Sequence, residues 1–287
     1  MRNAVARIAA IVTLIGTPAL AADIAAKAPP TLVAPAPAPQ PVYSWTGFYW
    51  GINGGYGFGN TSADLVPADV VTSANTCVGD PCPGTTSFDV NGGFGGLQAG
   101  YNWQFATTWV AGLEADFQFS SLKGTGSTAF GLDGPATYFA QQKIDEFGTA
   151  RARLGWLPTN DILLYGTGGL AYGRVKDTVS ITAAGSNSIG VFEYFCSPDA
   201  TEVPNCFLGN NTRWETGWTA GAGLEFAPWE HVTFRVEYLF VDFGNGGNVN
   251  VVAQSVGGSS ARPASFTSAF GRTDFNVVRA GVNWIFN

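Results

Sequence analysis

From Trp45 onward, apolar and polar side chains alternate with a period of two, the mark of strands whose two faces meet different surroundings. Phe48, Trp50, Ile52, Tyr56 and Phe58 share one face of the first such segment, and Gly47, Tyr49, Gly51, Asn53, Gly55 and Gly57 share the other. The alternation returns in Leu97, Ala99, Tyr101 and Trp103, in Trp109, Ala111, Leu113, Ala115, Phe117 and Phe119, and in Ala150, Ala152, Leu154 and Trp156. It returns again in Leu164, Leu170 and Tyr172, in Trp218, Ala220, Ala222, Leu224 and Phe226, in Val232, Phe234, Val236, Tyr238 and Phe240, and in Val278, Ala280, Val282, Trp284 and Phe286. The pattern predicts about eight strands of roughly ten residues, the length that crosses a bilayer when tilted. The expected connections alternate in length: 104–108, 158–161 and 227–231 are short, whereas 60–87, 120–142, 176–212 and 244–272 are long. Trp103, Trp109, Trp156, Phe226 and Trp284 gather at the short-turn ends, where an aromatic girdle would meet a membrane interface. Short inner turns, long outer loops and an even strand count describe an all-β, antiparallel transmembrane up-and-down β-barrel. A soluble sandwich also alternates, but its polar face would not hold so specific a set of charges.

The residues before this pattern read differently. Arg2 and Arg7 form a positive start, residues 8–15 an apolar core broken by Pro18, and Ala19-Leu20-Ala21 a small-x-small cleavage site. Residues 1–21 are therefore expected to be a signal peptide removed on secretion, the apolar run being too short to span a bilayer. Residues 22–43 form a periplasmic spacer, proline-dense over 28–41 and extended as polyproline II; only proline marks it, so a docking peptide is the weaker reading. The barrel is assigned to 44–287. No later stretch suits a transmembrane helix, so a membrane-embedded chain must cross with strands, whose backbone groups are satisfied only in a closed barrel.

Composition agrees. Charged residues make up 12% and aromatic residues 14% of the 287-residue chain, and there are 38 glycines. Few charges beside many aromatics and glycines suit a lipid-facing sheet rather than a soluble helical enzyme. The net charge of −7, more negative still once Arg2 and Arg7 are removed, excludes a nucleic-acid partner, since phosphate binding needs clustered Lys and Arg. Partners expected instead are outer-membrane lipid and lipopolysaccharide, with the barrel-assembly machinery during biogenesis.

Two groups of residues are candidates for chemistry. The polar face collects Glu114, Asp116, Arg151, Arg153, Glu225, Arg235, Glu237 and Arg279. Consecutive strands of a meander are neighbours, so Arg151 and Arg153 should face Glu114 and Asp116, while Arg235 and Arg279 serve Glu225 and Glu237. A barrel of about eight strands is filled by its own side chains, which favours a salt-bridged interior over a selectivity filter for small polar solutes. Each carboxylate has an arginine to keep it ionised, which argues against acid–base catalysis. Cys77 with Cys82 and Cys196 with Cys206 lie pairwise within long loops, and an oxidising compartment predicts a disulfide within each pair. A zinc site does not suit them, because the one histidine, His231, falls in a short turn at the other end. No phosphate loop, metal motif or dinucleotide fingerprint occurs, and no enzyme activity, metal or cofactor is expected.

Four passages also resemble a known family. Residues 45–49 (WTGFY), 164–173 (LYGTGGLAYG), 217–225 (GWTAGAGLE) and 236–244 (VEYLFVDFG) look like the small porin-like barrels of alphaproteobacteria, the outer-membrane immunogenic protein family. The resemblance runs from about Tyr43 to the end of the chain and implies an OmpA-like barrel, surface exposure and a part in envelope integrity. A haem-binding activity is not carried over, since the chain has one His and one Met.

Overall fold

The computed structural model describes residues 43–68, 84–131, 135–183, 187–189, 192–194, 205–253 and 265–286. The expected signal peptide and all of the spacer except Tyr43 lie outside these residues, as do Cys77, Cys82 and Cys196; Cys206 lies on a strand but its side chain is outside the description.

The long strands are β1 (Gly47–Pro67), β2 (Thr85–Ala106), β3 (Trp109–Gly131), β4 (Pro135–Thr159), β5 (Ile162–Ala183), β8 (Asn205–Trp229), β9 (Val232–Asn245) and β12 (Arg272–Phe286). Two short strands, β6 (Asn187–Ile189) and β7 (Phe192–Tyr194), pair as a separate hairpin, and β10 (Asn248–Ala253) and β11 (Ser265–Phe270) join the main sheet. All pairings are antiparallel, and β1 bonds both β2 and β12, which closes a ring of eight strands. On the short-turn side the strands are joined by Thr107–Thr108, Asn160–Asp161 and Glu230–His231, tighter than the connections expected there.

The strands are about twice as long as expected, because much of what reads as long loops continues the ladder. Residues 120–142 are mostly a hairpin in which Leu122 to Gly131 pairs with Pro135 to Ile144. The reason is an inversion of pattern. Within the lower part of the ring, the odd positions of β1 that face inward are Tyr49 and Asn53 and those facing out are apolar; higher up, Ala63 and Leu65 face inward and Asn60 and Asp64 outward. Phe88 and Val90 of β2, Ile144 of β4 and Val175, Val179 and Ile181 of β5 likewise turn inward above. The lower storey is thus apolar outside and polar inside, as lipid demands, whereas the upper storey is polar outside and apolar inside, like a water-soluble barrel. The alternation of two never stops; only its sense changes.

Only β9 and β12 stop short of the upper storey. There β10 and β11 take their places in the ring, β11 pairing with β1 and β10 with β8. The crossover is made at glycines: Gly244 has φ +80°, a backbone that side chains rarely adopt, and Gly246 and Gly271 donate to the carbonyls of Gly271 and Ser62.

Candidate functional site

The lower storey places all eight candidate charged residues in the lumen, each at most 5% exposed. Register brings some together directly. Glu114 lies opposite Arg151, Glu225 opposite Arg235 and Glu237 opposite Arg279.

Glu114 on β3 is the hub. Arg151 and Arg235 both contact it, Arg279 approaches to 3.4 Å and Arg153 to 3.6 Å, and the Tyr49 hydroxyl donates to it at 2.6 Å. Asp116 accepts from Arg151 and Arg279, both at 3.1 Å, and from the Thr149 hydroxyl at 2.7 Å. Glu237 is held by Arg279 at 2.6 Å and Arg151 at 2.8 Å, with Arg235 at 3.8 Å. Glu225 takes Arg153 at 3.1 Å, the Thr233 hydroxyl at 2.5 Å and the Asn283 amide at 2.8 Å. Four acids and four arginines leave the group formally neutral, so the desolvation of each charge is offset by close opposite charges and hydrogen bonds.

The expected pairing holds closely for Arg151 and for Arg279 with Glu237, and at longer range for Arg153 with Glu114 at 3.6 Å and Arg235 with Glu237 at 3.8 Å, but the closest partners of these last two lie elsewhere. Arg153 pairs with Glu225, and Arg235, although its cross-strand neighbour is Glu225, reaches over to Glu114. Strand adjacency does not decide partners here because the interior of an eight-stranded barrel is just wide enough for side chains to fill, so a long arginine meets carboxylates from every wall. Arg153 is also flanked by the rings of Tyr49 and Tyr165, each 5.0 Å from the guanidinium carbon, an arrangement favourable to a cation.

Several lumen residues were not singled out from the sequence. Gln98 accepts from Asn53 at 2.7 Å and from Arg235 at 2.5 Å, and Asn102 accepts from Arg153 at 2.9 Å. Their signal was available, since each has inward parity on a strand with apolar outward neighbours. Trp45 left no such signal. It is fully buried across the short-turn mouth, with Tyr43 edge-on at 5.0 Å, and it packs with Val110, Leu157, Leu163 and Ala227. Its indole donates to the Asn160 carbonyl at 3.0 Å. Above the charges lies the apolar interior of the upper storey, with Phe94, Phe147, Phe275 and Phe243 forming a chain of ring contacts at its base. Tyr138 and Ser268 share a hydrogen bond of 2.7 Å within that layer.

Outside, the lower storey carries Phe48, Trp50, Ile52, Leu97, Leu113, Leu154, Leu170, Val236 and Val278, all exposed. The girdle residues Trp103, Trp109, Trp156, Phe226 and Trp284 are exposed at the short-turn end as expected. Tyr56, Phe119, Trp214, Trp218 and Tyr238 mark the opposite edge of this band. Water would not tolerate so large an apolar surface, but hydrocarbon requires it.

A closed ring of strands with an aromatic-rimmed apolar exterior and a charged interior defines an outer-membrane β-barrel protein. The chain belongs to the family described as outer membrane protein beta-barrel domain, whose model matches residues 26–286. It is 36% identical to the 31 kDa outer-membrane immunogenic protein of Brucella melitensis, over 97% of this chain and 98% of that one. It is 28% identical to a 22 kDa outer membrane protein of Rhizobium leguminosarum, over 71% and 67% of the two chains. Among solved structures it matches OprG of Pseudomonas aeruginosa with a TM-score of 0.47 and 15% identity, covering 85% of this chain and 98% of that one. The protein is thus an outer-membrane surface barrel of the alphaproteobacterial immunogenic type.

Proposed function

We propose that the barrel is a closed structural element of the outer membrane, supporting envelope integrity and presenting its outer loops to the surroundings, without catalysis and without conducting solutes. The observation that carries this reading is the stacking of three filled layers along one axis: the Trp45 cluster, the neutral Arg–carboxylate network and the apolar interior of the upper storey. A solute crossing the barrel would have to displace all three. The charged layer holds the walls at one spacing, and each arginine bridges strands that are distant in sequence, as Arg153 on β4 does to Glu225 on β8.

The protein is reconstituted in planar bilayers, and steady conductance is measured for wild type and for Arg153→Ala. The closed reading expects no steady conductance from wild type. Steady, ion-selective steps from wild type that change selectivity in the variant would replace it with a narrow passive porin for small polar solutes.

A further inference from the structure

We propose that a row of three lysines on the outside of β3, β4 and β5 is a docking surface for the anionic head group of lipopolysaccharide in the outer leaflet. Lys123 lies directly opposite Lys143 across β3 and β4, and Lys143 directly opposite Lys176 across β4 and β5. All three point outward, their neighbours Leu122, Ile144 and Val175 being buried on the inner face. Like charges directly opposite one another destabilise a sheet. Two such pairs in one row therefore cost stability unless something negative offsets them.

The chain's own acids offset them only in part. Asp145 pairs with Lys143 at 2.5 Å, and Glu146 is engaged by Arg174 at 2.9 Å. Asp177, beside Lys176 in sequence, is fully buried on the inner face. Among the described residues Lys123 and Lys176 form no ion pair. With Arg174, the patch carries four positive charges against three negative ones, Asp145, Glu146 and, diagonal to Lys123 on β2, Asp89.

Position selects the partner. The lipid-facing band ends on this flank at Phe119, Tyr172 and Trp214. Lys176 is four residues above Tyr172, so its Cα stands roughly 10 Å above that ring's backbone, for a rise of about 3.3 Å per residue and a tilt of about 40°. A lysine stem can lower its ammonium several ångströms from there, into the head-group layer. The next row up is uncharged and rich in hydrogen-bonding groups, Thr125, Gln141, Thr178 and Asn210 standing opposite one another in succession. Charge at head-group height with an amide and hydroxyl row above it matches an anionic saccharide on a lipid anchor. Immediately beside the row, on β2, Lys123 stands opposite Asn91, and Asp89 faces outward two residues above it; Asn60 of β1 stands between Asp89 and Asp274, so the positive row ends at β3.

This inference rests on the outer-membrane reading and is independent of whether the lumen conducts. The full chain, refolded in dodecyl maltoside micelles, is titrated with purified lipopolysaccharide, and bound molecules are counted by native mass spectrometry at several salt concentrations. Wild type should bind with an affinity that falls as salt rises. The combined Lys123→Gln, Lys143→Gln and Lys176→Gln variant should bind on the order of a hundredfold more weakly, and each of Lys123→Gln and Lys176→Gln about fivefold more weakly. Replacing all three by Arg, or Asp274 by Asn, should leave binding intact, and Asp89→Asn, which removes the acid beside Lys123, should not weaken it. The single variants carry the test if the triple one does not refold. Unchanged binding by the Gln variants would overturn the proposal. So would displacement of lipopolysaccharide by inorganic phosphate, or by phosphatidylglycerol at equal concentration, since neither offers the saccharide.

Discussion

At the scale of single residues, the lumen is governed by one carboxylate more than by the other three. Glu114 meets four guanidinium groups and a tyrosine hydroxyl, whereas Asp116 meets two guanidinium groups and a threonine. A buried ion pair adds little net stability against an apolar replacement, but removing one partner strands the other as an uncompensated charge. Glu114→Gln keeps the volume and removes the charge, so it should cost about 3–5 kcal/mol, and Asp116→Asn should cost less. Urea unfolding of both variants in lipid vesicles reads the order directly. Equal midpoints for Glu114→Gln and wild type would mean that the network is solvated and does not brace the walls.

At the scale of the strand, glycine and tyrosine act as fitted pairs across the ladder. A Cβ on Gly100 would lie 2.5 Å from the Cζ of Tyr49, and one on Gly223 would lie 2.6 Å from the Cζ of Tyr165. The hydroxyl end of each ring lies against the glycine directly opposite on the neighbouring strand, which lets the Tyr49 hydroxyl reach Glu114 and both rings flank Arg153. The glycine is needed for the close approach, its φ being ordinary. Gly100→Ala should therefore lift the Tyr49 ring and destabilise the barrel by about 1–3 kcal/mol, the usual cost of overpacking. Adding Tyr49→Ala to Gly100→Ala should cost less than Tyr49→Ala costs alone in the parent, because the clash with the ring is then absent and only that with the Leu113 carbonyl, 2.5 Å from the added Cβ, remains. Strict additivity of the two changes in unfolding midpoint would refute the pairing.

At the scale of the whole molecule, stability comes from closure. Every strand of the ring has a neighbour on both sides, so no edge is left to fray in detergent. The folded barrel should withstand sodium dodecyl sulfate at room temperature and migrate differently on a gel after boiling. Identical mobility with and without heating would contradict a closed ladder. The upper storey adds to this in a way lipid does not, since its buried Leu65, Leu122, Ile144 and Val179 form an apolar interior beyond the membrane band. The ring therefore carries a second packed apolar core above its lipid-facing band.

By themselves the residues determined the membrane band, the eightfold ring, the inward set of charges and the family, because each follows from parity along a strand or from local motifs. Parity survives any tertiary arrangement: a residue facing lipid puts its neighbours in the lumen. The upper storey stayed illegible. Its strands alternate as regularly as those below, but with apolar residues inward, and a linear pattern does not say which face is inside once the solvent outside changes from hydrocarbon to water. The partners within the lumen were likewise decided only by the closed fold. Arg153 and Glu225 are brought within 3.1 Å from separate strands, and Arg235 passes over its adjacent Glu225 for Glu114, because side chains that span the barrel choose among all its walls rather than along the sequence.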